Sequence, residues 1–153
     1  MAKKKLKSKS QPRANSNRAK PHSRAKRALT RHAAATAALQ YVPWTSVPLE
    51  DLNPLLQRQF VVGQEIMLAR VLLKKGCIVP EHSHPNEQIT YILEGALEFH
   101  LEGKTVVVSA GQVLRIPSNV PHMAIALEDT LDLDIFSPIR HDWLIKDDAY
   151  LRK

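Results

Sequence analysis

From Phe60 onward the chain alternates short runs rich in Val, Ile and Leu with polar residues, and the runs break at Gly63, Gly76, Gly95, Gly103 and Gly111. Short apolar runs bounded by glycine predict strands rather than helices. The pattern places strands near 58–62, 65–74, 77–82, 87–94, 96–102, 104–109, 112–116, 121–127 and 130–136. Many short strands at nearly even spacing, with no convincing helix between them, predict an antiparallel sandwich or barrel. Upstream, Tyr41 to Pro54 carries Pro43, Trp44, Pro48 and Pro54 and reads as an extended entry strand. Residues 29–40 are Ala-rich and helix-capable, and residues 1–28 hold too little apolar surface to offset their ordering entropy, so they are expected to be disordered. Asp142 to Lys153 reads as a loosely packed polar tail anchored by Trp143 and Leu144.

Charge changes this picture at one end only. The net charge is +7, yet residues 1–40 carry seven Lys and five Arg with no acid, while residues 41–153 hold fifteen acids against ten bases. The basicity therefore belongs to an arm, and the body is acidic. This predicts a disordered basic extension over 1–40 and one folded domain over 41–153. The arm is suited to weak polyanion contact through counterion release, but it has no aromatic residue for base stacking and no DNA-binding motif. Its composition also resembles an organelle transit peptide, and the plainest reading is a solvated extension. No stretch reaches the roughly 20 apolar residues of a membrane span. With Cys77 as the single cysteine, no internal disulfide forms and no oxidising compartment is required. A cytoplasmic protein with no membrane partner is the expectation.

The candidate chemistry lies in the histidines. His82 and His84 stand at i and i+2 on one predicted strand, so their side chains share a face. Gln88 follows after Pro85 and Asn86 bend the chain, and His122 opens a distant strand just after Pro121. Imidazoles are common ligands for Zn, Fe, Ni, Cu and Mn ions, and an amide oxygen can complete the set. His82, His84, Gln88 and His122 are thus predicted to hold one divalent transition metal ion. His100 alternates with Glu98 and Glu102 opposite an apolar face and reads as solvated, and His22, His32 and His141 lie in polar tails.

The spacing around these residues is specific. Gly76 is followed by five residues, His82-Ser83-His84, three residues, Gln88, six residues and Gly95; Gly111 is followed by five residues and then Pro117-Ser118-Asn119-Val120-Pro121-His122. The two blocks resemble the Gly–HxH–Glu–Gly and Gly–Pro–Gly–His motifs of the cupin superfamily. The resemblance implies a double-stranded β-helix, or jelly-roll barrel, and a homodimer paired through its sheets. Gln88 stands where the motif usually has Glu, which removes one negative charge from the metal's surroundings and should favour an anionic ligand. Asn119 replaces a motif Gly, and Asn tolerates the left-handed turn.

The segment from Glu128 to Trp143, with the His-Pro-Asn-Glu-Gln block, is similar to the small single-domain cupins of pectin degradation, the KdgF type. That resemblance implies linearisation of 4,5-unsaturated uronates to the keto form, with Asp134, Phe136 and Arg140 as catalytic residues. Strand alternation in 131–136 puts Leu131, Leu133 and Ile135 on one face and Asp132, Asp134 and Phe136 on the other. If the second face is internal, Asp134 lies near the metal as an acid/base group, and Arg140 can pair with a substrate carboxylate. If it is external, the aspartates are a solvated strand edge and Arg140 a surface ion pair. Two further classes stay open: another metal-cupin enzyme, such as a dioxygenase or isomerase, and a non-catalytic sugar- or anion-binding cupin.

Overall fold

The computed structural model describes residues 39–152. The predicted basic extension, and all but the end of the Ala-rich segment, lie outside the described residues. Ten strands follow in chain order: β1 (Glu50–Asn53), β2 (Leu56–Val62), β3 (Met67–Leu73), β4 (Ile78–His82), β5 (Glu87–Glu94), β6 (Ala96–Leu101), β7 (Lys104–Ser109), β8 (Val113–Ile116), β9 (His122–Ala126) and β10 (Thr130–Ser137). A single-turn helix, α1 (His141–Leu144), and a 3₁₀ turn (Ala149–Leu151) end the chain. The nine strands expected from Phe60 onward and just before it are all present, and the expected entry strand is confined to β1, with a 3₁₀ turn at Trp44–Ser46 ahead of it.

The strands form two antiparallel sheets, one of six in the order β1-β2-β3-β10-β5-β8 and one of four in the order β4-β9-β6-β7. Sequential strands sit in opposite sheets at several steps, so the chain winds as a jelly roll around one core. Alternation is clean in β3, where Met67, Ala69, Val71 and Leu73 are buried and the residues between them are not. Gly95 turns β5 into β6 with φ +80°, and a Cβ there would meet the Asp129 carbonyl oxygen at 2.4 Å and Thr130 Oγ1 at 2.6 Å. No other residue fits that crossing.

The register of the six-stranded sheet stacks its inward residues in rows. Gln88, Phe136 and Met67 form one row, Thr90, Asp134, Ala69 and Phe60 the next, and Ile92, Asp132, Val71 and Arg58 a third. Leu131, Leu133 and Ile135 point outward and are only partly buried. In β10 the polar residues, not the aliphatic ones, therefore face the interior. The four-stranded sheet contributes an apolar inner face of Leu97, Phe99, Ala124 and Ala126, all buried.

The C-terminal segment is not a loose tail. Arg58 lies 1% exposed beneath it, hydrogen-bonded from Nε to Glu50 (2.9 Å) and paired through Nη2 with Asp148, which is fully buried. Arg152 closes the quartet, donating to Asp148 Oδ1 (2.9 Å) and Glu50 Oε1 (2.6 Å). Buried ions persist only when paired and hydrogen-bonded, and here each has at least two partners. Trp143 is buried as expected, whereas Leu144 is exposed.

Candidate metal centre

His82 ends β4, His84 lies in the following loop, and His122 opens β9, where its backbone pairs with that of His82. One ring nitrogen from each of the three lies within 4.8 Å of the other two. Their rings close on a common point, with centroids 4.3 Å apart for His82 and His122 and 5.2 Å for His84 and His122. Each ring is fixed from behind. Nδ1 of His82 donates to the Pro80 carbonyl (2.9 Å), that of His84 to Asn86 (3.0 Å) and that of His122 to Val120 (2.8 Å). A carbonyl oxygen only accepts, so each Nδ1 carries the proton and each Nε2 is left with a free lone pair. Asn119, at φ 64°, donates its amide to the His84 carbonyl (2.7 Å) and ties the two motif loops together.

Electrostatics keeps these rings neutral. Burial, reinforced by the neighbouring His122, holds His82 down to about 3, and burial together with the Arg140 charge holds His84 at about 4. Burial also lowers His122. Neutral imidazoles with fixed tautomers and converging lone pairs are what a borderline metal ion requires. The three histidines are positioned to bind one metal ion.

Gln88, on β5, sits beside them. Its Nε2 donates to Thr90 Oγ1 (2.9 Å) and Asp134 Oδ1 (2.8 Å), while the Thr90 hydroxyl donates to the same Asp134 oxygen (2.5 Å). With both amide hydrogens engaged, Oε1 must face the histidines, and it lies 3.1 Å from His84 Nε2. Two lone-pair atoms at that distance repel unless a cation or proton lies between them. The donor set therefore fits a metal ion better than an empty hydrogen-bonded cluster.

Asp134, Phe136 and Arg140 line the same cavity, whose volume is about 60 Å³, room for a few waters or part of a compact ligand. Burial raises Asp134 to about 6, against the opposing pull of its hydrogen bonds from Thr90 and Gln88. Asp132 is pushed well above the usual carboxylate range by burial and by Asp134. Arg140 is no surface residue: it is 1% exposed, forks onto Asp142 (2.9 and 2.6 Å) and donates to the Tyr150 hydroxyl (3.0 Å). Asn86, next to the His84 loop, donates to the Pro138 and Ile139 carbonyls and so holds the turn that delivers Arg140.

Sequence reasoning missed three residues here. Tyr150 stacks on His82 with ring centroids 4.6 Å apart, Arg58 lines the cavity beside Asp132, and Thr90 holds Asp134 by a hydrogen bond without itself lining the cavity. Parity in β5 was a usable signal for Thr90, two residues from Gln88. Nothing local marked Tyr150 or Arg58, since their partners lie far away in the chain. Tyr91 and Arg115, whose orientation parity left open, lie outside the cavity lining.

The profile of the cupin domain family matches residues 69–137, which include all four candidate ligands. The pectin degradation protein KdgF of Dickeya dadantii is 30% identical over 100 residues, which cover 63% of this chain and 91% of that protein. The solved structure of KdgF from a Halomonas species is 32% identical, with a TM-score of 0.64, covering 68% of this chain and 99% of that one. An RmlC-like cupin from Shewanella frigidimarina is 27% identical, with a TM-score of 0.65, over 69% of this chain and 96% of its own. With the histidine cluster in the barrel mouth and relatives matched over almost their whole length, the chain belongs to the cupin family and within it is similar to KdgF.

Proposed function

We propose that this cupin is a metal-dependent enzyme that opens the ring of a small anionic sugar, a 4,5-unsaturated uronate, to its linear keto form. The observation that carries the reading is Asp134: a buried carboxyl, raised to about 6 by its burial, one hydrogen bond behind Gln88 and lining the cavity rather than facing solvent. Its likeness to KdgF proteins supports the choice of substrate class.

His82, His84, His122 and the Gln88 carbonyl oxygen would hold the metal, which supplies Lewis-acid polarisation of a substrate oxygen when bound. Arg140 orients the substrate. Asp142 and Tyr150 occupy its Nε and Nη2, so Nη1 is the group left to meet the sugar carboxylate. Asp134 removes the proton from the anomeric hydroxyl as the C1–ring-oxygen bond breaks. The electron pair passes to the ring oxygen, giving an aldehyde at C1 and an enolate at C5. The same carboxyl then delivers that proton to C4, and the enolate becomes a ketone. A group with its pKa near 6 is suited to both transfers. Phe136, 1% exposed, packs edge-on against His84 (5.6 Å) and closes the wall against water.

The test pairs metal analysis of the purified protein with an assay on unsaturated galacturonate. Loss of the enol-ether absorbance is expected, abolished by His122→Ala and by Asp134→Ala. Fully metallated protein inert towards both galacturonate- and mannuronate-derived substrates would overturn the reading.

A further inference from the structure

Three buried side-chain polar atoms have no hydrogen-bond partner among the described residues: Arg58 Nη1, Asp132 Oδ1 and Trp143 Nε1. All three residues line the cavity that also holds His82, Gln88 and His122. Unpaired buried polar atoms are rare and costly, so three around one space ask for an explanation.

The register supplies one. Arg58 on β2 and Asp132 on β10 both pair with Val71 on β3, so they flank that residue on the inner face, with backbones about 10 Å apart. Arg58 is held in place by Glu50 and Asp148 and by stacking over the Trp143 ring at 4.3 Å. Only Nη1 is left over. The two acids already balance this guanidinium together with Arg152, and Asp132 is a carboxyl with Asp134 two residues away on the same face. A second ligand carboxylate would add a third acidic group, and an uncompensated charge, to this buried pair. A hydroxyl would not, since it accepts from Arg58 Nη1 and donates to Asp132 Oδ1 at once.

We infer that Arg58 and Asp132 form a hydroxyl-reading subsite over Val71, on the side of the cavity away from the histidines, which selects polyhydroxylated acids over acids of the same skeleton without hydroxyls. Trp143 Nε1 is a second donor beside it. The inference rests on the sugar-acid reading above and adds to it the part of the ligand that neither the histidines nor Arg140 would touch. Arg58 and Asp132 are specificity residues, not catalytic ones.

The probes are D-galacturonate and tetrahydropyran-2-carboxylate, which share the six-membered ring and the carboxylate and differ in the hydroxyls. Binding of each to metal-loaded protein is measured by calorimetry, with thermal melts of the metal-free protein as the folding control. The wild type should bind galacturonate at least tenfold more tightly. Asp132→Ala, which removes a buried carboxyl and should fold, is expected to erase most of that preference while leaving tetrahydropyran-2-carboxylate unchanged. Arg58→Lys should act in the same direction. Equal binding of the two acids by the wild type, or an Asp132→Ala loss that is equal for both, overturns the subsite alone. Binding of neither acid overturns the sugar-acid reading and the subsite with it.

Discussion

The two sheets of this barrel fill their shared interior with opposite chemistry. The four-stranded sheet turns Leu97, Phe99, Ala124 and Ala126 inward and is polar only at its rim, where His82 and His122 pair across β4 and β9. The six-stranded sheet turns Gln88, Thr90, Asp134, Asp132 and Arg58 inward along adjacent rows. One sheet supplies an apolar wall and two of the three clustered imidazoles; the other supplies proton-bearing and hydrogen-bonding groups. Burying polar groups is costly unless they satisfy one another, and the Gln88–Thr90–Asp134 network does so. The residues on this wall are therefore set by chemistry rather than by packing, and the two sheets should fail differently when cut.

The largest contrast comes from the rim. His122→Ala should lower metal affinity by more than about 100-fold and abolish the proposed ring-opening, yet leave a cooperatively folded protein; chelator competition and circular dichroism check both halves. Phe99→Ala on the apolar wall should do the reverse, costing about 3–5 kcal/mol of stability by denaturant titration while the folded fraction still takes up one equivalent of metal. Asp148→Ala strands the buried Arg58 without its main partner. About 3 kcal/mol should be lost, with retention of metal binding by the folded protein separating this effect from damage at the rim.

The smallest effect has a sign set by titration. Burial holds Asp132 far above its unfolded value, so the folded state keeps its proton more readily than the unfolded chain. Its stabilising contribution is full below the unfolded value near 4 and is lost as pH rises through the folded one. Asp132→Asn should therefore raise the metal-free protein's stability by about 1 kcal/mol at pH 8. The gain should vanish by pH 4, and melts across that range would reveal a pH-independent gain, which contradicts the assignment.

The strands were legible because alternation and glycine breaks are local signals, and His82, His84, Gln88 and His122 because their spacing is. The polarity of β10 was not. Leu131, Leu133 and Ile135 make the more apolar face, and the usual rule would bury them; the barrel instead buries the aspartates, since Gln88 and Thr90 wait on β5 with matching donors. The C-terminal segment was misread for a related reason. Asp148 and Tyr150 look like surface residues in a polar stretch, and only Arg58, some ninety positions earlier, and His82 make them internal.

The Glu50–Arg58–Asp148–Arg152 quartet also has a mechanical meaning. It fastens the first strand of the barrel to its last turn, with Glu50 and Arg152 in contact at 2.6 Å although 102 positions apart. The same turn lays Tyr150 against His82. The C-terminal turn is thus tied at once to the first strand and to the ring of a candidate metal ligand. A new chain opening made elsewhere, with Glu50 and Arg152 bridged by a short linker, would keep the buckle closed, so the barrel is a natural candidate for circular permutation.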